Sequence, residues 1–196
     1  TCIDAGAAQA GAEKLISDGV VAIMGADCSG VTKAIAENVA VPKGVVMVSP
    51  SATSPSLTDI NDKGYFFRTA PSDARGGQIL AQITKDRKIK SVAVTYEKSD
   101  YGQGLSDSYV SAAKALGIKV TAVASHENGK ADYNAEVGVF ASAGGDALVV
   151  LGYADQGGKG IIEASLDTGA FDTFILGDGM IADSLLAAFG KKLDKS

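Results

Sequence analysis

The stretch SVAVTYEKSDYGQGLSDSYVSAAKALGIKVTAVA, residues 91–124, decides the fold. Ser91–Tyr96 is a β-branched and apolar run with no polar alternation. Leu105, Tyr109, Ala112, Ala113 and Leu116 then recur at i, i+4, i+7, i+8 and i+11, which is one face of a helix. Gly117 is placed to end that helix as its C′ residue. Lys119–Ala124 is a second apolar run. Strands that are apolar on both faces and joined by a helix belong to a parallel sheet covered on both sides.

The same rhythm extends in both directions. Strands are expected at Val20–Met24, Val45–Val48, Phe66–Thr69, Ala147–Gly152 and Thr173–Leu176. Helices are expected near 4–17, 30–40, 74–88, 102–116, 134–142, 156–168 and 181–189. The fold class is α/β. One interruption stands out: from Ser49 to Tyr65 (SPSATSPSLTDINDKGY) no helical period appears. Loops beyond about 12–15 residues in compact domains are usually functional or disordered. A strand and a fresh helix after Pro71-Ser72-Asp73 place a boundary near residue 72.

Composition narrows the function. The 196 residues carry 18 Lys+Arg against 23 Asp+Glu, a net charge of −5, which argues against nucleic acid or an anionic membrane as main partner. Apolar runs fall far short of the roughly 20 residues that span a bilayer. Neither a basic n-region nor an apolar h-region opens the chain. Ala5, Ala8, Ala12, Leu15 and Ile16 share a helical face that nothing before them covers, so the sequence reads as a fragment or processed form of a longer protein.

Chemistry-bearing residues are few. Cys2 and Cys28 make a poor metal site without a histidine cluster. They are either a disulfide, which would imply an oxidising compartment, or two buried thiols. Gly25-Ala26-Asp27-Cys28-Ser29-Gly30 joins a strand to a helix, with Ser29 as a natural N-cap. The turn is either an anion-receiving helix start or a capped helix and nothing more. His126, at a strand end beside Glu127, Asn128 and Gly129, reads as exposed loop. No second histidine, G-x-S-x-G elbow, dinucleotide fingerprint or P-loop is present, so catalytic machinery is not expected.

IMGADCSGVT, VSPSATSPSLTD, FFRTAPSD, KSDYGQGLSDS, ADYNAEV, VLGYADQGG and ILGDG, together with the two cysteines, run in order along the chain. In these stretches it resembles the periplasmic substrate-binding proteins of ABC transporters, of the leucine/isoleucine/valine-binding type. The resemblance implies a type I periplasmic binding protein fold: two α/β lobes on a hinge, closing over ligand in the cleft between them. Residues 1–72 would be part of the first lobe, incomplete here, and 73–196 the second. It also implies a Cys2–Cys28 disulfide.

Residue by residue, the resemblance gives Ser29, Ser51, Ala52 and Thr53 to an α-carboxylate. Tyr153 and Asp178 go to an α-ammonium, Tyr101 to the cleft lining and Asp73 to the crossover between lobes. Asp178 stands where several relatives carry Glu, and Ala154 where branched-chain binders often have an aromatic. The implied function is capture of an amino acid, branched-chain or otherwise apolar, for delivery to a membrane permease. No cofactor, metal or nucleic acid is expected, and the location is the periplasm. The competing readings are a ligand-sensing receptor or regulatory domain of the same fold, or a binder of aromatic acids or amides.

Overall fold

The computed structural model describes Cys2 and residues 4–193. The chain divides into two compact units, the first ending at Ala74 and the second beginning at Arg75.

The first unit comprises α1 (Ala5–Ser17), β1 (Ala22–Met24), α2 (Ser29–Ile35), β2 (Val46–Ser49) and β3 (Phe66–Arg68), with a wider helical turn at Ala36–Ala40 continuing α2. Its three strands are parallel in the order β1-β2-β3, Ile23 pairing with Met47 and Met47 with Phe66. These three side chains meet Val31, Ile35 and Val39 in one core, joined by Ala12 of α1 and by Ala52 and Leu57. The Asp4 carboxylate accepts the Ala7 N–H at 2.8 Å and so caps α1, a contact worth about 1 kcal/mol. Ala8, Ala12 and Ile16 pack inward, but Leu15, expected with them, is 47% exposed. At 100° per residue it lies on the flank of that stripe. Met24 and Phe67 are also exposed.

The long connection after β2 makes a short 3₁₀ turn at Pro55–Leu57 and is otherwise irregular. Arg68 braces it: Nη1 donates to the Ser54 and Ala52 carbonyls at 2.8 and 3.4 Å, and Nη2 to Thr58 Oγ1 at 2.7 Å. Cys2 and Cys28 form a disulfide with Cα atoms 5.4 Å apart, which ties the segment before α1 to the start of α2.

The second unit contains β4 (Ser91–Glu97), α4 (Asp100–Ala115), β5 (Lys119–His126), α5 (Asn134–Ala143), β6 (Ala147–Leu151), α6 (Lys159–Thr168), β7 (Phe174–Leu176) and α7 (Asp183–Leu193). It also includes all but the first residues of α3 (Asp73–Asp86). Its sheet is wholly parallel, ordered β5-β4-β6-β7. Every residue of β6 is buried, which follows from its place between two strands and two helical layers. Leu148 and Val150 join Val137, Phe140, Ile161 and Ile162 on one face. Ala147, Val149 and Leu151 join Leu105, Tyr109 and Ala113 on the other. Truncating such a residue, Phe140 for instance, should cost about 3–5 kcal/mol. The Ser99 hydroxyl accepts the Gly102 N–H at 3.1 Å to cap α4, and Gly117 ends that helix at φ +79°, as the sequence predicts. Among the described residues no helix is long and apolar enough to cross a membrane.

His126 corrects an expectation. β5 runs two residues further than predicted, so the ring is fully buried and not in an exposed loop. Its Nδ1 lies 2.8 Å from Thr95 Oγ1, its face meets Tyr133 edge-on, and Nε2 has no hydrogen-bond partner. Burial pushes its pKa from 6.5 down to about 4, Glu136 opposing the shift.

Two predictions follow from this packing. The 26-residue spacing of the disulfide should make Cys2→Ser cost the first unit about 3.5 kcal/mol on the chain-entropy account. Alkylation of the unreduced protein followed by mass measurement should find no label; two labels would contradict the pairing. The second concerns His126. The unfolded chain takes up the His126 proton near 6.5 and the folded one only near 4. Its contribution is therefore complete above pH 6.5 and lost as pH falls toward 4, by about 3 kcal/mol. Glu97, whose carboxyl is raised by burial, acts in the opposite sense: its contribution is complete at low pH and lost as pH rises through the raised value. The urea midpoint, followed by circular dichroism, should fall from pH 6.5 to 4.5, and fall less in His126→Asn. Parallel curves would contradict the assignment.

Candidate ligand-binding site

In the first unit the carboxyl ends of β1 and β2 lead into two small-residue turns, and Ser49 joins them. Its hydroxyl donates to the Ala26 carbonyl at 2.6 Å and accepts the Ala52 N–H at 3.0 Å. Thr32 Oγ1 donates to the same Ala26 carbonyl at 3.1 Å. Ser29 is not the N-cap of α2. Cys28 holds that position without a side-chain bond, and Ser29, already inside the helix, is buried with its Oγ accepting the Ser54 N–H at 3.1 Å. The turn is one residue tighter than the sequence suggested, and the hydroxyl links the helix start to the long connection.

The structure thus gathers Ser29, Ser51, Ala52 and Thr53 around one corner, with the three hydroxyls engaged. Ala52 is fully buried. The Thr53 hydroxyl donates to Asp73 Oδ2 at 2.7 Å, and the Asp73 N–H donates to the Thr53 carbonyl at 2.9 Å. Asp73 is therefore fastened to this corner. The exposed Ser51 hydroxyl contacts Asp27 Oδ1 and lies 3.0 Å from the Asp27 carbonyl. An acidic side chain standing at a hydroxyl expected to meet an anion is a feature the sequence reading passed over, although Asp27 sits in the quoted GADCSG turn.

In the second unit Tyr101, Tyr153 and Asp178 come together from the first turn of α4, the end of β6 and the end of β7. Their separations in sequence are bridged by direct contacts. Tyr101 OH donates to Asp178 Oδ1 at 2.8 Å and accepts the Gly179 N–H at 3.3 Å. The Tyr101 and Tyr153 rings lie 4.9 Å apart, tilted by 30°. Tyr101 is buried and Asp178 exposed, so the phenol anchors a carboxylate that faces solvent. One carboxylate and two aromatic rings at strand carboxyl ends have the chemistry to receive a cationic group.

Behind them sits Glu97, which the sequence reading did not single out. It ends β4, is 2% exposed, and its Oε2 accepts the Tyr153 N–H at 3.3 Å. An acidic residue closing an otherwise apolar run (SVAVTYE) was the available signal. A separate groove of about 410 Å³ runs along α6, lined by Lys130, Tyr133, Lys159 and Glu163 among others, and does not include the tyrosine–aspartate group. Cys2, Asp27 and Cys28 also lie close together, but the disulfide occupies both sulfurs, which leaves a single carboxylate for any metal.

The chain is 30% identical over 180 residues to a Leu/Ile/Val-binding protein homolog of Brucella melitensis, covering 91% of this chain and 48% of that protein. It is 29% identical over 180 residues to the leucine-, isoleucine-, valine-, threonine-, and alanine-binding protein of Pseudomonas aeruginosa, covering 90% and 47%. The leucine binding protein LivK of Thermotoga maritima superposes with a TM-score of 0.86 at 28% identity, over 97% of this chain and 54% of that one. The chain spans about half the length of the curated relatives it matches. Residues 1–189 match the model described as receptor family ligand binding region; the chain belongs to that family and carries the type I periplasmic binding protein fold.

Proposed function

We propose that this chain is the ligand-capturing part of an ABC-transporter solute-binding protein that takes up an amino acid with an apolar side chain. The observation that carries the proposal is the Tyr101–Asp178 hydrogen bond at 2.8 Å beside the Tyr153 ring. It presents a carboxylate beside two aromatic rings, the chemistry an α-ammonium requires. The first unit's hydroxyl corner, Ser29 and Ser51 to Thr53, is the part that the family resemblance gives to a carboxylate. The relatives' names, for leucine, isoleucine and valine, favour a branched apolar side chain.

On this reading the protein performs no chemistry on its ligand. It binds, and the bound conformation is what a membrane permease recognises. Ligand can favour one conformation only by binding it more tightly than the other. Residues 1–72 and 73–196 would correspond to parts of the two lobes, with Asp73 at their crossover, and the site of action would be the periplasm.

Titration calorimetry with L-leucine is the direct test. Ligand at about 100 times its Kd should also raise stability by roughly 2.7 kcal/mol, a shift of a few degrees in Tm. Asp178→Ala should weaken leucine by about ten- to a hundredfold, since it strands the ammonium without its charged partner. Tyr153→Phe, which keeps the ring, should change it little. Equal affinity of wild type and Asp178→Ala would remove Asp178 from the site.

Asp27 gives a second, opposite-signed prediction. Its carboxylate at Ser51 opposes an incoming carboxylate, so Asp27→Asn should tighten leucine several-fold while leaving leucinamide, which lacks that carboxylate, unchanged. Weakening of both ligands alike would contradict placement of the α-carboxylate at this corner.

A further inference from the structure

We propose that Glu97 is the positioning residue of the ammonium site: its buried carboxylate fixes the backbone at Tyr153 and so sets the pair of rings against Asp178. What the rings hold rests on the function proposed above; that Glu97 sets them does not. Glu97 closes β4, a strand paired on both sides by β5 and β6. Its carboxylate accepts the Tyr153 N–H at 3.3 Å and Asn128 Nδ2 at 3.5 Å, with the Ser99 side chain as a further partner. Asn128 Nδ2 reaches on to Gln156 Oε1 at 3.2 Å, so the same carboxylate steadies both ends of the turn that carries Tyr153.

The backbone packs on Glu97 from both sides at the neighbours of the two tyrosines. A Cβ on Gly102, next to Tyr101, would lie 2.2 Å from the Glu97 carbonyl oxygen. One on Gly152, next to Tyr153, would lie 2.5 Å from Glu97 Cβ. Only glycine admits this approach. Glu97 is thus wedged between the segments that deliver Tyr101 and Tyr153.

No cation pairs with it among the described residues; Lys98, its neighbour, pairs with Glu127 at 2.7 Å. A buried carboxylate without a cation is costly. Here its two oxygens are used as acceptors for groups that have to be held in fixed directions. An ionised carboxylate is acceptor-only, which suits two converging N–H donors.

The experiment compares wild type with Glu97→Gln, Glu97→Asp and Glu97→Ala by two readouts. The first needs no ligand: the Tyr153 amide resonance and its hydrogen exchange, followed by NMR. Glu97→Ala and Glu97→Asp, which remove the acceptor or withdraw it by one methylene, should shift that amide and speed its exchange at least tenfold. Glu97→Gln should preserve it, because Asn128 Oδ1, now without a hydrogen-bond partner, can receive the new amide once Asn128 turns over. The second readout is L-leucine affinity, expected to fall about tenfold in Glu97→Ala and Glu97→Asp, the loss of one hydrogen bond to a charged group, and to stay within threefold in Glu97→Gln. An unmoved Tyr153 amide in Glu97→Asp overturns the proposal, as does wild-type leucine affinity in that variant. If wild type binds no leucine, the function proposed above fails, and the amide readout still decides the role of Glu97.

Discussion

Parallel pairing of β4 between β5 and β6 is the constraint on which the second unit depends. It buries both faces of β4 and β6, demands helices on each side, and brings the carboxyl ends of β4 and β6 level, with β7 beside β6. Polar groups at those ends cannot retreat into the apolar layers, so they must satisfy one another or face solvent. Glu97 and the Tyr153 N–H do the first; Asp178, held by Tyr101, does the second. A polar surface at this edge is therefore a consequence of the sheet. The residue types placed there, a carboxylate and two phenols, decide which ligand chemistry it favours.

The first unit solves a related problem with hydroxyls. Its strand ends deliver two turns whose backbone groups would be left unpaired in a tight, irregular connection. Ser49, Ser29 and Arg68 satisfy them, the two serines by bridging turns that are distant in sequence. The corner is held by serine hydroxyls and by the Arg68 guanidinium, which is spent on backbone carbonyls, with Asp27 and Asp73 at Ser51 and Thr53.

Much of this was legible in the sequence. Each of the seven expected strands forms within two residues of its predicted bounds, because apolar runs such as Ala147–Leu151 can be buried only one way in a parallel sheet. The Ser49–Tyr65 break was equally plain. His126 was not, since whether a strand ends at residue 124 or 126 depends on pairing with β4 and not on local propensity. Ser29 was displaced from its expected capping role by one residue of turn geometry. Asp27 and Glu97 were missed for a common reason: a lone acidic residue in a sequence says nothing until its neighbours in space are known. Tyr101, Tyr153 and Asp178 were named by resemblance; the hydrogen bond and ring contact that join them exist only in three dimensions.

The claim at the centre of this account is that the tyrosine–aspartate group receives an α-ammonium. The most direct measurement is an NMR experiment with ¹⁵N-labelled L-leucine bound to the protein, reading nuclear Overhauser contacts from the ammonium protons. The account predicts contacts to the ring protons of Tyr101 and Tyr153, lost in Asp178→Ala. Bound leucine whose ammonium touches neither ring, or whose contacts survive that substitution, would contradict it.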